Sequence, residues 1–242
     1  HASTEGVARI LPGVCGLLIQ KELEIMGKSL DDPRRPFVAI IGGAKVSTKI
    51  TVIRNLAQKV DALLIGGGMI FTFLKAQGIE VGKSLVEEKF IGQAREIWAE
   101  LKAMAHLKLV VPVDAVVAPE IAAGAPSKVV PIDRIPADMI GVDVGPGTVA
   151  LFQEAIRTAG TVIWNGPVGV FEIDAFARGT NEIARALASS KAITIIGGGD
   201  SASAVEKTGV ADRITHISTG GGASLEYLEG KELPGIAILQ DR

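Results

Sequence analysis

Cysteine is nearly absent: Cys15 stands alone among 242 residues, which excludes an internal disulfide framework and fits a reducing compartment. Aromatics are scarce as well. Seven Phe, two Trp and one Tyr leave little for stacking on nucleic-acid bases. Charge of one sign is also lacking: 25 Lys and Arg stand against 27 Asp and Glu, for a formal net charge of −2. Binding a phosphate backbone calls for clustered positive excess, so nucleic acid is not the expected partner. No apolar run approaches the ~20 residues of a membrane span, and the N-terminus lacks the basic-then-apolar pattern of a signal peptide. A cytoplasmic chain without a membrane partner is expected. One cysteine and three scattered histidines (His1, His106, His216) cannot build a Cys/His zinc site. His216 lies in a strand-like run and reads as packed, not catalytic. No Gly-x-Ser-x-Gly elbow marks a serine hydrolase. The first residue is His1 and not Met, which suggests a processed product or a piece of something longer.

What is present is a chain able to bury roughly 70–75% of its unfolded surface without any covalent staple. Short apolar bursts without polar alternation fall at Phe37–Ile41, Asp61–Ile65, Lys108–Pro112, Thr161–Trp164, Ala192–Ile196 and Ile214–Ile217. Such runs suit strands covered on both faces. Helical periodicity lies between them, clearest over Leu85 to His106, where Phe90, Ala94, Ile97, Leu101 and Met104 repeat by three and four. Gly147–Thr158 and Thr180–Ser189 repeat it more weakly. The alternation predicts an α/β fold: a three-layer, Rossmann-like, doubly wound parallel sheet of about six strands with helices on both faces. Residues 1–35 read as an outlying helix and linker. Pro12 opens a helical stretch through Val14, Leu17, Leu18 and Ile25, Gly27 stops it, and Asp31-Asp32-Pro33-Arg34-Arg35-Pro36 follows. Residues 36–232 form the main domain, and 233–242, broken by Leu233-Pro234-Gly235, a short tail.

Glycine is the outlier, 29 residues or about 12% against a usual ~7%. Five of the strands run straight into glycine clusters: Gly42-Gly43-Ala44-Lys45, Gly66-Gly67-Gly68-Met69, Asn165-Gly166-Pro167, Gly197-Gly198-Gly199-Asp200-Ser201 and Thr219-Gly220-Gly221-Gly222-Ala223. In a parallel sheet all five turns emerge at the carboxyl edge, where open α/β sheets take ligands. Each is followed by residues able to begin a helix, whose free N–H groups and dipole favour an anion. Tight strand–helix turns alone would also use glycine; five on one edge, with lysines and an aspartate among them, favour an anionic nucleotide. Known phosphate fingerprints are absent. No G-x-G-x-x-G follows the first strand, and Gly78–Ser84 is one spacer short of a Walker loop and follows a helical segment.

Lys45 and Lys49 are four apart, so a helix starting near Val46 would carry both near its N-terminus. Two cations there conflict with the dipole unless an anion sits between them or both reach into water. Asp200 either caps the helix after its glycines, itself or through Ser201, or holds Mg²⁺ against phosphates. Both readings stand on spacing alone.

Taken together, Gly42-Gly43-Ala44-Lys45-Val46, Gly66–Met69, Trp164-Asn165-Gly166-Pro167-Val168-Gly169-Val170-Phe171-Glu172, Gly197–Ser201 and His216–Glu226 resemble the phosphoglycerate kinase family in order and spacing, over essentially the whole chain. The likeness is to the bacterial type. It implies the C-terminal, nucleotide-binding half, with the interdomain helix at its start, the phosphoglycerate-binding N-terminal domain missing and the tail packing back on that domain. Transfer between 1,3-bisphosphoglycerate and MgADP follows from the resemblance, as do Mg²⁺ and ADP/ATP; phosphoglycerate would bind only with the missing domain. A monomer is expected, and the piece alone should bind nucleotide with little turnover. By the same resemblance Lys45 steadies the phosphoryl group in flight, with Gly198 and Gly221 beside it, and Lys49 binds nucleotide phosphates. Asp200 holds Mg²⁺, and the N–H groups of Gly198, Gly199 and Ser201 face the phosphates next to Gly197. Glu172 bonds the ribose, Asn165 reaches the phosphates, and Pro167 and Val170 pack on sugar or base. Gly43, Ala44, Gly67, Gly68, Gly141 and Val142 line the adenine slot. Thr219 and Gly220–Gly222 open the helix facing the transferring phosphate. Ser201 replaces the Thr of many members. Two other readings remain: a non-catalytic module docking a separate N-terminal half, and a dehydrogenase-like dinucleotide domain, which the missing G-x-G-x-x-G disfavours.

Overall fold

All six apolar bursts become parallel strands of one sheet in the computed structural model, which describes residues 1–240. Residues 241 and 242 of the expected tail lie outside the described residues. In chain order the elements are α1 (Leu17–Asp31), β1 (Phe37–Ile41), α2 (Ile50–Ala57), β2 (Ala62–Ile65), α3 (Ile70–Ala76), α4 (Ile91–Ala103) and β3 (Lys108–Val110). Then come β4 (Asp114–Ala118), β5 (Lys128–Pro131), β6 (Ile140–Val144), α5 (Pro146–Thr158), β7 (Thr161–Asn165), α6 (Arg178–Ser189), β8 (Ile193–Gly197), α7 (Gly199–Lys207), β9 (His216–Ile217), α8 (Gly222–Leu228) and α9 (Pro234–Ala237).

The large sheet has the order β3-β2-β1-β7-β8-β9, and every neighbouring pair is parallel. Its strands are apolar on both sides because both sides are covered. Phe37, Ala39 and Ile41 of β1 join one core with α2, α3 and α4, while Val38 and Ile40 join the other with α5, α6 and Trp164. Side-chain alternation along a strand divides them. The chain leaves β1 toward β2 and β3, then returns on the other side as β7, so the order reverses between β1 and β7. Such a switch point opens a crevice at the carboxyl edge.

A second sheet was not expected from the apolar pattern. β5-β4-β6 is antiparallel, inserted between β3 and α5. Its strands have four or five residues, and β5 is largely exposed, so no uninterrupted buried run marks them. The outlying helix also differs from expectation. It begins at Leu17 after Gly16, not at Pro12, and runs through Gly27 to Asp31. Gly27 is not a stop: a Cβ there would lie 3.1 Å from the Tyr227 hydroxyl, so this glycine admits a neighbour.

Glu22 ties α1 to the far edge of the sheet. Its carboxylate lies 2.9 Å from His216 Nε2 and accepts from the Thr219 N–H at 2.8 Å and the Thr219 hydroxyl at 3.0 Å. Burial alone would raise the Glu22 pKa, but these bonds outweigh it and hold the carboxyl below the usual glutamate range. A lowered folded pKa gives stability that is present above the unfolded value and lost as pH falls through the folded one. Glu22→Gln should therefore lower the urea midpoint at neutral pH and converge with wild type in acid. Identical midpoints at pH 7 would show that the contact contributes nothing.

Candidate functional site

At the switch point three turns meet backbone on backbone. The Gly42 N–H donates to Asn165 O at 2.9 Å, the Gly43 N–H to Pro167 O at 2.8 Å, and the Met69 N–H to Gly43 O at 3.0 Å. A Cβ on Gly42 would fall 2.3 Å from Gly166 O, and one on Gly166 2.3 Å from Gly42 O. Gly166 also has φ +92°, a left-handed conformation that side chains resist. Glycine is required here by close approach.

Beside these turns lies a cavity of about 280 Å³. Among the residues nominated from sequence, Gly43, Ala44, Gly67, Gly68, Gly141, Val142, Pro167, Val170, Glu172 and Asp200 line it. Its apolar wall was not foreseen: Phe71, Leu85, Ile121, Ile132 and Ile140, the last two at or beside the antiparallel sheet. Gly141 is where that sheet meets α3, since a Cβ there would sit 2.0 Å from Phe71 Cζ. The second sheet thus serves as a side wall of the cavity.

The polar end is built from β7, β8 and α7. The Asn165 side-chain amide donates to Gly197 O at 2.8 Å, and its carbonyl oxygen takes a hydrogen bond from Lys49 Nζ. Burial pulls the Lys49 pKa below the usual lysine range, with Asp200 and Glu229 pushing it back up. A partly desolvated ammonium whose hydrogen-bond partner is a neutral amide, with carboxylates acting on it only from farther off, can take an anion. Ser201 is buried and accepts the Gly166 N–H at 2.6 Å, joining α7 to the β7 turn. Neither Asp200 nor Ser201 caps α7, whose N-cap Gly198 sits at φ +90°. The first N–H groups of α7 and the exposed Asp200 carboxylate therefore have no side-chain partner among the described residues. A single free carboxylate could hold Mg²⁺ where a phosphate supplies the other ligands, since that ion is commonly bound by one or two carboxylates plus substrate phosphates. No cluster of three or more His, Cys, Asp or Glu forms an all-protein metal cage among the described residues.

The lysine segment departs from expectation. Val46–Thr48 is a 3₁₀ turn, and Lys49 at φ −122°, ψ −9° separates it from α2, so no regular helix starts near Val46. Side chains compete for this backbone. Glu87 accepts the Ser47 N–H at 2.9 Å and the Ser47 hydroxyl at 2.6 Å, while the Thr48 hydroxyl donates to Lys45 O at 3.0 Å. Lys45 is exposed and does not line the cavity, though its neighbour Ala44 does. Glu87 sits on a loop with no motif of its own and was missed; only its charge, opposite that of the lysines, hinted at it. The β7 turn is likewise not followed directly by a helix, since α6 begins only at Arg178.

The last glycine cluster lies away from the cavity. Gly220–Gly222 are exposed at the edge beyond β9, and both the N–H and hydroxyl of Thr219 are committed to Glu22. Asp143, also missed, borders the cavity while itself buried. Burial pushes its carboxyl up to about 7, against N–H donors of Gly179 and Val144 and the Arg178 guanidinium, which lower it.

A family model described as phosphoglycerate kinase matches residues 1–231. The phosphoglycerate kinase of Pelotomaculum thermopropionicum is 59% identical over the whole chain, and that of Moorella thermoacetica 58%. The chain spans 61% of the length of each, so these relatives are substantially longer. Among solved structures, the phosphoglycerate kinase of Coxiella burnetii aligns with TM-score 0.94 at 45% identity, covering 98% of this chain and 62% of that one. That of Pyrococcus horikoshii aligns with TM-score 0.85 at 32% identity, covering 98% of this chain and 60% of its own.

The backbone interlock makes a prediction. Gly166→Ala should destabilise by about 3 kcal/mol or more, combining steric overlap with positive-φ strain. Gly78→Ala, at φ +80° but with nothing within 4 Å, isolates the strain, and should cost about 1–2 kcal/mol. Equal losses in urea titrations of the two would remove the interlock.

Proposed function

The chain belongs to the phosphoglycerate kinase family, and we propose on that premise that its cavity binds the nucleotide of a phosphoryl transfer between 1,3-bisphosphoglycerate and MgADP. The observation that carries this reading is one continuous crevice. An apolar slot between the two sheets leads past Glu172 to Asp200 and the uncapped N-terminus of α7, with the half-buried Lys49 beside it. That layout suits a base, a ribose and a polyphosphate in turn.

Gly43, Ala44, Gly67, Gly68, Gly141 and Val142 flank the base, with Pro167 and Val170 against the sugar. Glu172 accepts hydrogen bonds from the ribose hydroxyls. Lys49 and Asn165 meet the phosphates, joined by the N–H groups of Gly198, Gly199 and Ser201. Asp200 would hold Mg²⁺, which when bound neutralises charge on the nucleotide's phosphate oxygens. The terminal phosphate oxygen of ADP attacks the acyl phosphate; the bond to the 3-phosphoglycerate carboxylate breaks, and ATP and 3-phosphoglycerate result. Such a reaction asks a protein for alignment and charge compensation more than for a nucleophile. Lys45, exposed at the rim, supplies compensation to the phosphoryl group in transit, with Gly221 and Gly222 approaching from the β9 side when the site is complete.

The domain assignment belongs to the same proposal: residues 36–232 carry the nucleotide, 1–35 link it to a phosphoglycerate-binding domain, and 233–242 return to that domain. Val7, Ile10, Leu11, Val14, Leu17 and Leu18 are exposed apolar residues in the linking segment, which favours a docked partner half. The whole protein is proposed to work as a monomer in the cytoplasm. Among the described residues no helix is long and apolar enough to cross a membrane.

Two measurements test this reading. The 242-residue chain should bind MgADP in titration calorimetry yet show negligible turnover in a coupled assay; absent heat, or turnover at the rate of the longer relatives, defeats it. In the full-length protein, Lys45→Ala should lower kcat by about 10²–10³-fold, as for removal of a transition-state donor, with ADP affinity changed far less. An unaltered kcat would strip Lys45 of its role.

A further inference from the structure

The loop carrying Pro167, Val170 and Glu172 is gripped from two sides. From α7, Lys207 Nζ donates to Phe171 O at 3.2 Å and Glu172 O at 3.4 Å, and pairs with Asp174 at 2.6 Å. From β6, Val142 O accepts the Val170 N–H at 2.8 Å. The next residue, Asp143, goes deeper. Its Oδ2 accepts the Gly179 N–H at 2.7 Å in the first turn of α6, and its Oδ1 the Val144 N–H at 2.9 Å. A Cβ on Gly169 would fall 2.1 Å from Oδ1, and one on Gly179 2.5 Å from it. The carboxylate therefore fills the gap between the loop and α6, and only glycine on each side leaves it room. Asp143 is 5% exposed, yet it borders the same cavity as Glu172.

We propose that Asp143 is a positioning residue for nucleotide binding: its carboxylate wedges the 166–177 loop against α6 and so sets Val170 and Glu172 at the cavity wall. This rests on the reading of Glu172 as the ribose ligand. A wedge with two N–H donors is strongest when ionised, because hydrogen bonds to a charged acceptor are about twice as strong as neutral ones. Burial opposes that charge and brings the carboxyl up to about 7. Protonation weakens the hold on Gly179 at the start of α6. The loop joins that helix at Ala177 and bonds to it through the Val168 N–H and the Thr180 hydroxyl, so falling pH should loosen the loop in the neutral range. The charged groups around Asp143 are Arg178 on α6, with Asp114 of β4, Glu172 of the loop and Asp200 of α7 on the same cavity; β6 carries no other titratable side chain.

Adenosine is the probe, because it has base and ribose but no titrating phosphate. In the full-length protein its Kd should weaken by about tenfold between pH 8 and pH 6, the factor expected for one weakened charge-assisted bond. Asp143→Asn should bind adenosine at the weak value at both pH values and raise the KM for ADP while leaving kcat at saturating ADP near wild type. A merely structural role would lower stability without abolishing that slope. Glu172→Gln separates the two layers of the argument. If it binds adenosine as wild type does, the ribose reading fails and the wedge with it. If it weakens binding while Asp143→Asn matches wild type in both affinity and slope, the wedge alone fails. Should Asp143→Asn not fold, the wild-type slope decides, and a flat wild-type profile overturns the proposal.

Discussion

Everything at the carboxyl edge depends on how closely two backbone turns can approach. Parallel strands lie ~4.8 Å apart, and at the switch point the turns leaving β1 and β7 must pass each other within that spacing. Gly42 and Gly166 allow it, each occupying the space a Cβ would claim on the other. From that contact the rest follows. The Gly42 and Gly43 N–H groups are satisfied by Asn165 and Pro167, which fixes Asn165 where its amide can bridge Lys49 and Gly197. Ser201, by accepting the Gly166 N–H, carries the same constraint into α7.

Long-range placement of this kind was legible only in part. The six strands could be read because burial on both faces writes an uninterrupted apolar run, and the glycine turns because each directly follows such a run. The antiparallel sheet could not, since β5 is exposed and β6 is interrupted by Gly141 and Asp143, polar or small residues placed there for the cavity. Spacing put Lys45 and Lys49 on one helix; the structure splits them, because Glu87, forty residues away from Ser47, takes the N–H and hydroxyl that a helix start would have left free. Local pattern cannot report a bond made across that distance. Gly27 misled for a related reason, its lack of a side chain serving Tyr227 and not a helix end.

The helix N-termini around the cavity are satisfied unequally. No helix of eight or more residues has a cap from its own N-cap side chain among the described residues. Two are capped instead by acids of the antiparallel sheet. Asp114 of β4 accepts the Gly147 and Thr148 N–H groups of α5 at 2.8 Å each, and Asp143 of β6 accepts that of Gly179 in α6. The inserted sheet therefore neutralises the two helix starts that border its side of the cavity.

The start of α7 is left without such an acid, and its own Asp200 points no carboxylate oxygen at the N–H groups. An N-terminal dipole attracts negative charge and fades within a turn. Asp200 supplies a charge in that first turn without bonding the N–H groups, which stay free for another acceptor, unlike those of α5 and α6. Lys49, partly desolvated and bonded to a neutral amide, lies at that same end. Orientation of a ligand with one apolar and one anionic end thus needs no dedicated recognition motif. The antiparallel sheet supplies the apolar wall and takes up the starts of α5 and α6, so the nucleotide proposed for this crevice would turn its phosphates to the start of α7.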